Sequence, residues 1–352
     1  MIRIKVQAST GYEVVIDRGL LDRAGQEIAA VQPPCRVAVV SDDTVFPLCG
    51  RRVTDSLSRA GFAPCSFVFP AGEQSKNLET YTQLLRFLAA ERFGRGDLLV
   101  ALGGGVVGDL TGFAAATWLR GVRYVQLPTT LLAAVDASVG GKTAVDLPEG
   151  KNLVGAFCQP ARVLCDPDVL RTLPEAVFRD GCAEIIKMAL LGSAPFFAWL
   201  DREGVRQSLE YAIETAVTMK RDIVAEDEFD RGRRQLLNLG HTIGHAVERC
   251  SGFTVSHGSA VAIGMAVITA AAERRGLCLP GTGAALEQLL RRCGLPTESP
   301  YDAARLMDAV RHDKKITASG IALVVPEAIG RCRSITVPTA ELPDWLRDGG
   351  VV

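Results

Sequence analysis

A chain of 352 residues exceeds what one typical hydrophobic core organises, and it predicts two domains. Hydrophobic residues make up 48% and charged residues 22%, a balance that excludes disorder. The formal net charge of -1 offers no overall footprint for nucleic acid or an anionic membrane.

The opening residues Met1-Ile2-Arg3-Ile4-Lys5-Val6 alternate as a strand does. Arg3 to Ala8 and Tyr12 to Asp17, around Ser9-Thr10-Gly11, predict a hairpin. Arg36 to Val40 and Ser66 to Phe69 follow as strands, Asn77 to Glu91 as a helix, and Asp97 to Leu102 as another strand that runs into a glycine cluster and a helix. This strand-helix rhythm predicts a mainly parallel, Rossmann-like α/β sheet over residues 1–173. From Pro174 the apolar period changes to that of a helix, with helices expected near 175–191, 205–225, 232–250, 258–276 and 283–294. A strand pair, Ile321 to Val325 and Arg333 to Val337, precedes a last helix ending at Leu346. The second domain, 174–352, is therefore expected to be mostly α-helical. The 10 cysteines are scattered without a Cys-x-x-Cys pair and read as reduced core thiols. No apolar run reaches the roughly 18 residues of a membrane helix, and the first residues lack an apolar signal core, so a cytoplasmic location is expected.

Gly103-Gly104-Gly105-Val106-Val107-Gly108-Asp109 joins a strand to a helix. Glycines at such a turn let backbone amides approach a diphosphate, and the helix start supplies partial positive charge. The spacing is not Gly-x-Gly-x-x-Gly, and a tight turn alone would also demand glycine. The polar loop Ala71-Gly72-Glu73-Gln74-Ser75-Lys76 lies after another strand, at the edge where α/β sheets bind ligands.

Of only 4 histidines, three, His241, His245 and His257, fall between positions 241 and 257. His241 and His245 are four apart and share a helix face. Glu184, with Lys187 three residues on, supplies a carboxylate from an earlier helix. A carboxylate plus two histidines leaves an open coordination position, which suits catalytic zinc or a similar divalent ion, whereas a single buried histidine would more simply be a core residue. Arg234 and Asn238 are expected on the same helix as His241. Upstream lie Asp136, Lys142 within Val139-Gly140-Gly141-Lys142-Thr143 and Lys151-Asn152, and downstream lies Asp313-Lys314-Lys315; cations beside glycines, as at Lys142 and Lys151, suit phosphate.

These segments resemble the 3-dehydroquinate synthases and their sugar-phosphate cyclase relatives, from about residue 12 to 337. The resemblance is carried by Gly103 to Phe113, Leu127-Pro128-Thr129-Thr130-Leu131-Leu132, Ser138 to Thr143, Gly150-Lys151-Asn152, Ala183-Glu184-Ile185-Ile186-Lys187, Asn238 to His245 and Asp313-Lys314-Lys315. It implies metal ligands at Glu184, His241 and His257, with zinc the usual ion and cobalt an alternative. It implies NAD held by Asp42, Glu73, Lys76, the Gly105, Val106, Val107 and Gly108 turn, Asp109, Thr129, Thr130, Lys151 and Thr172. Substrate contacts are implied at Arg120, Asp136, Asn152, Lys187, Lys220, Asn238 and Lys314, and catalytic roles at Lys142, Asp230, Arg234 and His245. The implied reaction is a carbon-oxygen lyase step of the shikimate route to aromatic amino acids: a phosphorylated seven-carbon keto acid loses phosphate and closes to a carbocycle, with no net redox change. A homodimer is the implied assembly. Two segments depart from the family: Asp227-Glu228-Phe229-Asp230 replaces the usual Asp-Glu-Arg-Glu, and His257-Gly258-Ser259-Ala260 replaces His-Gly-Glu-Ala. They leave room for a specialised relative such as an aminodehydroquinate synthase, while a metal-dependent polyol dehydrogenase is the alternative of another class.

Overall fold

The computed structural model describes residues 1–310, 316–317 and 320–352, so Lys314 lies outside the described residues. By its internal contacts the chain falls into two units, Met1–Pro174 with Lys220–Phe229, and Glu175–Met219 with Asp230–Val352.

The first unit opens with β1 (Ile2–Val6) and β2 (Tyr12–Ile16), paired antiparallel as a hairpin. Then come α1 (Leu20–Ala29), β3 (Arg36–Asp42), α2 (Arg51–Arg59), β4 (Ala63–Phe69), α3 (Leu78–Ala90), β5 (Leu98–Gly103), α4 (Gly105–Thr117) and β6 (Arg123–Pro128). A second hairpin, β7 (Lys142–Leu147) with β8 (Gly150–Phe157), which the strand-helix rhythm did not reveal, precedes β9 (Arg162–Cys165) and the short α5 (Pro167–Leu170). The main sheet runs β1-β2-β9-β6-β5-β3-β4, and every pairing beyond the first hairpin is parallel. All six residues of β5 are buried, which is why the strand reads as a continuous apolar run without alternation. After β3 the chain goes to β4 on one side and then to β5 on the other. This reversal creates the crevice at strand C-termini where α/β sheets take ligands.

Helix α4 packs tightly because its glycines remove side chains at the contact. A Cβ on Gly112 would stand 2.4 Å from Thr143 Cγ2, and one on Gly108 2.7 Å from Gln126 Oε1. Helix α3 begins at a true cap, Asn77, whose Oδ1 accepts from Thr80 N at 2.9 Å.

The second unit contains α6 (Glu175–Gly192), α7 (Ala194–Glu203), most of α8 (Leu209–Glu226), α9 (His241–Cys250), α10 (His257–Arg274), α11 (Thr282–Arg292) and α12 (Ala303–Val310). The small sheet β10 (Ile316–Thr317), β11 (Gly320–Ala328), β12 (Arg331–Val337) and the last helix α13 (Leu342–Asp348) complete it. Helix α10 is buried along most of its length and forms the centre, with α9, α6, α13 and α11 against it.

Two expected helices are corrected. The helix expected over 205–225 starts only at Leu209, after a single turn Val205–Gln207. The helix expected over 232–250 is broken: Arg233–Asn238 is a separate 3-10 segment, Leu239 is extended, and α9 starts at His241. Gly240 sits at φ 78°, and a Cβ there would meet Val261 O at 2.7 Å. The left-handed backbone interrupts the helical run, and crowding against α10 bars a larger residue. Arg234 and Asn238 therefore do not share a helix with His241.

Candidate active site

In the first unit, β5 delivers the glycine turn to the start of α4, whose cap is Gly104 with no side-chain capping bond. The first amides of α4 lack a side-chain acceptor, and Gly105, Val106 and Val107 present them. Thr129 N donates to Gly103 O at 2.9 Å, so β6 brings Thr129 and Thr130 beside the turn. The Thr129 hydroxyl is buried with no hydrogen-bond partner among the described residues. Asp42 ends β3 across the crevice, its Oδ1 accepting from Thr44 N and Val45 N at 3.0 and 2.7 Å.

One turn into α4, Asp109 Oδ2 pairs with Lys76 Nζ at 2.6 Å. The same ammonium donates to Asn152 Oδ1 at 2.6 Å. Burial opposes the charge of Lys76, but Asp109, Glu73 and Asp146 outweigh it and raise the lysine pKa above its ordinary value. Lys151 Nζ lies 3.4 Å from Glu73 Oε1. Asn152, at φ 54°, donates its backbone N–H to Asp146 Oδ1 at 2.7 Å. Glu73, Lys76, Asp109, Lys151 and Asn152, far apart in sequence, thus form one polar cluster. Lys220 Nζ reaches Asp136 Oδ1 at 2.6 Å. Lys142 opens β7 directly after two left-handed glycines, Gly140 and Gly141. Thr172 follows α5, its hydroxyl donating to Val169 O at 3.1 Å. Arg120 lies past the C-terminal end of α4, at φ 70°.

In the second unit, three helices meet at the histidines because glycines allow it. A Cβ on Gly264 would stand 1.9 Å from Gly240 O, and one on Gly244 3.0 Å from Ala260 O, so α9 and α10 touch backbone to backbone. A Cβ on Gly258 would stand 2.3 Å from Asp180 Cα, so α10 begins directly against α6. Glu184, His241 and His257 thereby come together, with ligand atoms within 4.8 Å of one another. Glu184 Oε1 is 3.4 Å from His257 Nε2 and 3.8 Å from His241 Nε2, and Lys187 pairs with its other oxygen. The His241 Nδ1 position is 3.1 Å from Leu239 O, which assigns the proton there and leaves Nε2 as the donor atom. Burial disfavours charge on His257, yet Glu184 and Glu248 outweigh it and raise its pKa to about 10. Donor types and spacing fit a divalent ion of the zinc kind. The His245 ring is centred 5.4 Å from that of His241 and 6.3 Å from that of His257. Arg234 and Lys187 are buried, Asn238 Nδ2 donates to Gln235 O at 3.0 Å, and Asp230 stands at φ 59°.

Two residues escaped the sequence reading. Glu248 is buried on α9 with Oε2 3.5 Å from His257 Nδ1; its spacing of seven from His241 was the available signal. Asp180, four residues before Glu184, accepts from Ser256 Oγ at 2.6 Å, and Ser256 Oγ lies 2.9 Å from Ser259 Oγ, so Ser259 takes part in fixing the start of α10.

A parallel sheet with a glycine-lined helix start, joined in one chain to a helical unit bearing a Glu-His-His set, defines the dehydroquinate synthase-like fold class. The family models described as 3-dehydroquinate synthase N-terminal and C-terminal match residues 66–180 and 181–316. A 3-dehydroquinate synthase of Enterococcus faecalis is 44% identical over 347 residues, covering 97% of each chain. The chain belongs to the 3-dehydroquinate synthase family. Among solved structures, 2-epi-5-epi-valiolone synthase from Streptomyces hygroscopicus subsp. jinggangensis, with NAD+ and Zn2+ bound, aligns at a TM-score of 0.89 with 28% identity and 99% coverage of each chain. Glycerol dehydrogenase from Schizosaccharomyces pombe aligns at 0.67 with 17% identity, covering 96% of this chain and 88% of its own. At that identity the likeness concerns the fold alone. No helix of the described residues is long and apolar enough to cross a membrane.

Proposed function

We propose that this chain converts 3-deoxy-D-arabino-heptulosonate 7-phosphate to 3-dehydroquinate and phosphate, with NAD and a divalent ion, zinc by preference. The carrying observation is the convergence of Glu184, His241 and His257 in a chain 44% identical to a 3-dehydroquinate synthase across nearly its whole length. When bound, NAD supplies a hydride acceptor that returns unchanged, and the divalent ion polarises the oxygen at the oxidised carbon.

The α4 amides, with Thr129, Thr130, Asp42 and Thr172 around the sheet crevice, hold the dinucleotide. Lys76 and Lys151 fix Asp109 and Glu73 beside it. Lys187 and Arg234, buried cations, neutralise the substrate carboxylate, with Asn238 orienting the adjacent oxygens. Lys142, Asn152 and Lys220 serve the phosphate end, and Asp136 holds Lys220 in place. His245 moves protons at the reacting hydroxyl, and Asp230 provides a second carboxylate for proton transfer, one methylene shorter than the family's glutamate. A ketone acidifies the C–H on the carbon beside it, and loss of that proton with phosphate leaving from the next carbon along needs little more from the protein than orientation and charge. A homodimeric, cytoplasmic enzyme is part of the same reading.

The test incubates the protein with the seven-carbon keto-acid phosphate, NAD and Zn2+. Phosphate release matched by carbocycle formation, without net NADH, is expected. Steady NADH production from a simple polyol, with the keto-acid phosphate untouched, would move the chain to the dehydrogenases that share its fold.

A further inference from the structure

Glu248 is a buried carboxylate, 2% exposed, on a helix whose neighbouring positions Ala246 and Val247 are apolar. Burying an anion is unfavourable unless it faces compensating groups. Its position three residues after His245 and seven after His241 puts it on the histidine face of α9. Across that face stands His257, whose two ring nitrogens each meet a different carboxylate: Nε2 lies 3.4 Å from Glu184 Oε1, and Nδ1 lies 3.5 Å from Glu248 Oε2. A neutral imidazole has one lone pair to give and one N–H to donate. The carboxylate that accepts that N–H selects the tautomer, aims the ring and makes the opposite nitrogen more basic. His241 receives the equivalent service from the Leu239 carbonyl at 3.1 Å.

We propose that Glu248 is a positioning residue of the metal site: it accepts from His257 Nδ1–H and thereby directs Nε2 toward Glu184 and His241. The inference rests on the ligand assignment proposed above. His245, Glu248 and His257 also have ligand atoms within 4.8 Å of one another, so a second ion held by that trio is the competing outcome.

Zn2+ affinity is measured by competition with a chromophoric chelator on NAD-free protein for wild type, Glu248→Gln and Glu248→Ala, with metal counted by elemental analysis. Selective 15N-histidine spectra of the zinc form report the protonated nitrogen of His257. The expectation is one ion per chain in wild type, roughly 10–100-fold weaker binding in Glu248→Ala, and a smaller loss in Glu248→Gln, whose amide oxygen can still accept. The Nδ1–H signal of His257 should dominate in wild type and Glu248→Gln and lose its dominance in Glu248→Ala. If the alanine variant does not fold, Glu248→Gln decides alone: an affinity at least about threefold weaker, with Nδ1–H retained, supports the role. Unchanged affinity in every folded variant overturns it, as do two ions in wild type falling to one on loss of Glu248. Wild type that binds no stoichiometric zinc would instead remove the ligand assignment itself.

Discussion

His241 and His245 sit one turn apart on the same face of α9, yet the structure gives them different surroundings. His241 has its Nδ1 fixed by Leu239 O and its Nε2 3.8 Å from Glu184, whereas His245 is grouped with Glu248 and His257 rather than with Glu184. His241→Ala is expected to strip the metal, and Glu184→Ala and His257→Ala should do the same. His245→Ala should keep its metal and slow phosphate release by roughly 10²–10⁴-fold. Elemental analysis beside a phosphate assay checks this; equal metal loss in both histidine variants would make His245 a fourth ligand. In the first unit, Asp109→Ala leaves the buried ammonium of Lys76 without its closest carboxylate. Weaker NAD binding with unchanged metal content is expected, and calorimetry that finds equal NAD affinity would take Asp109 out of that role. Burial pushes the Cys165 thiol up to about 12. A folded pKa above the unfolded one means that its contribution is complete below about pH 8.5 and is lost as pH rises toward 12, at about 1.4 kcal/mol per pH unit. Urea titrations between pH 8 and 10 should therefore show a shallower alkaline decline for Cys165→Ala than for wild type.

At the scale of elements, the metal site depends on how closely helices approach. Gly264 lies against the Gly240 carbonyl with no room for a Cβ, so Gly264→Val must push α10 from α9. A loss of about 1–3 kcal/mol from overpacking is expected, together with weakened zinc binding, because His241 and His257 ride on the two separated helices. Retained metal affinity in a folded Gly264→Val protein would show that the ligand set does not need this contact. The same elements show what the sequence concealed. Helical periodicity continued smoothly through 232–250, and nothing local distinguished Gly240 as a break rather than a tolerated glycine; the decisive neighbour, Val261 O, belongs to another helix. The β7–β8 hairpin was hidden for a related reason, since its turn region Pro148-Glu149-Gly150 carries ordinary polar signals among short runs that also suit a loop.

For the whole molecule, a ligand that binds only the folded state stabilises it by mass action. Zn2+ at about 100 times its dissociation constant should add roughly 2.7 kcal/mol to the unfolding free energy of the structure that carries the site. A chelator should abolish this gain in wild type and change nothing in His257→Ala; melting curves with and without chelator provide the comparison. The sequence by itself determined the α/β and helical halves, because strand runs and helical periods are local patterns imposed by backbone geometry and burial. It also marked the residue types of the site, since four histidines with three together, and glycines at a strand end, are compositional facts. Only the tertiary structure decided which carboxylates face those histidines, that Lys76 holds Asp109 and Asn152 together, and that Arg234 leaves the helix of His241. Those pairings join residues as far apart as 76 and 152 or 184 and 257, which no local window of the chain contains, and the second follows from helix approach distances set by Gly240, Gly244, Gly258 and Gly264.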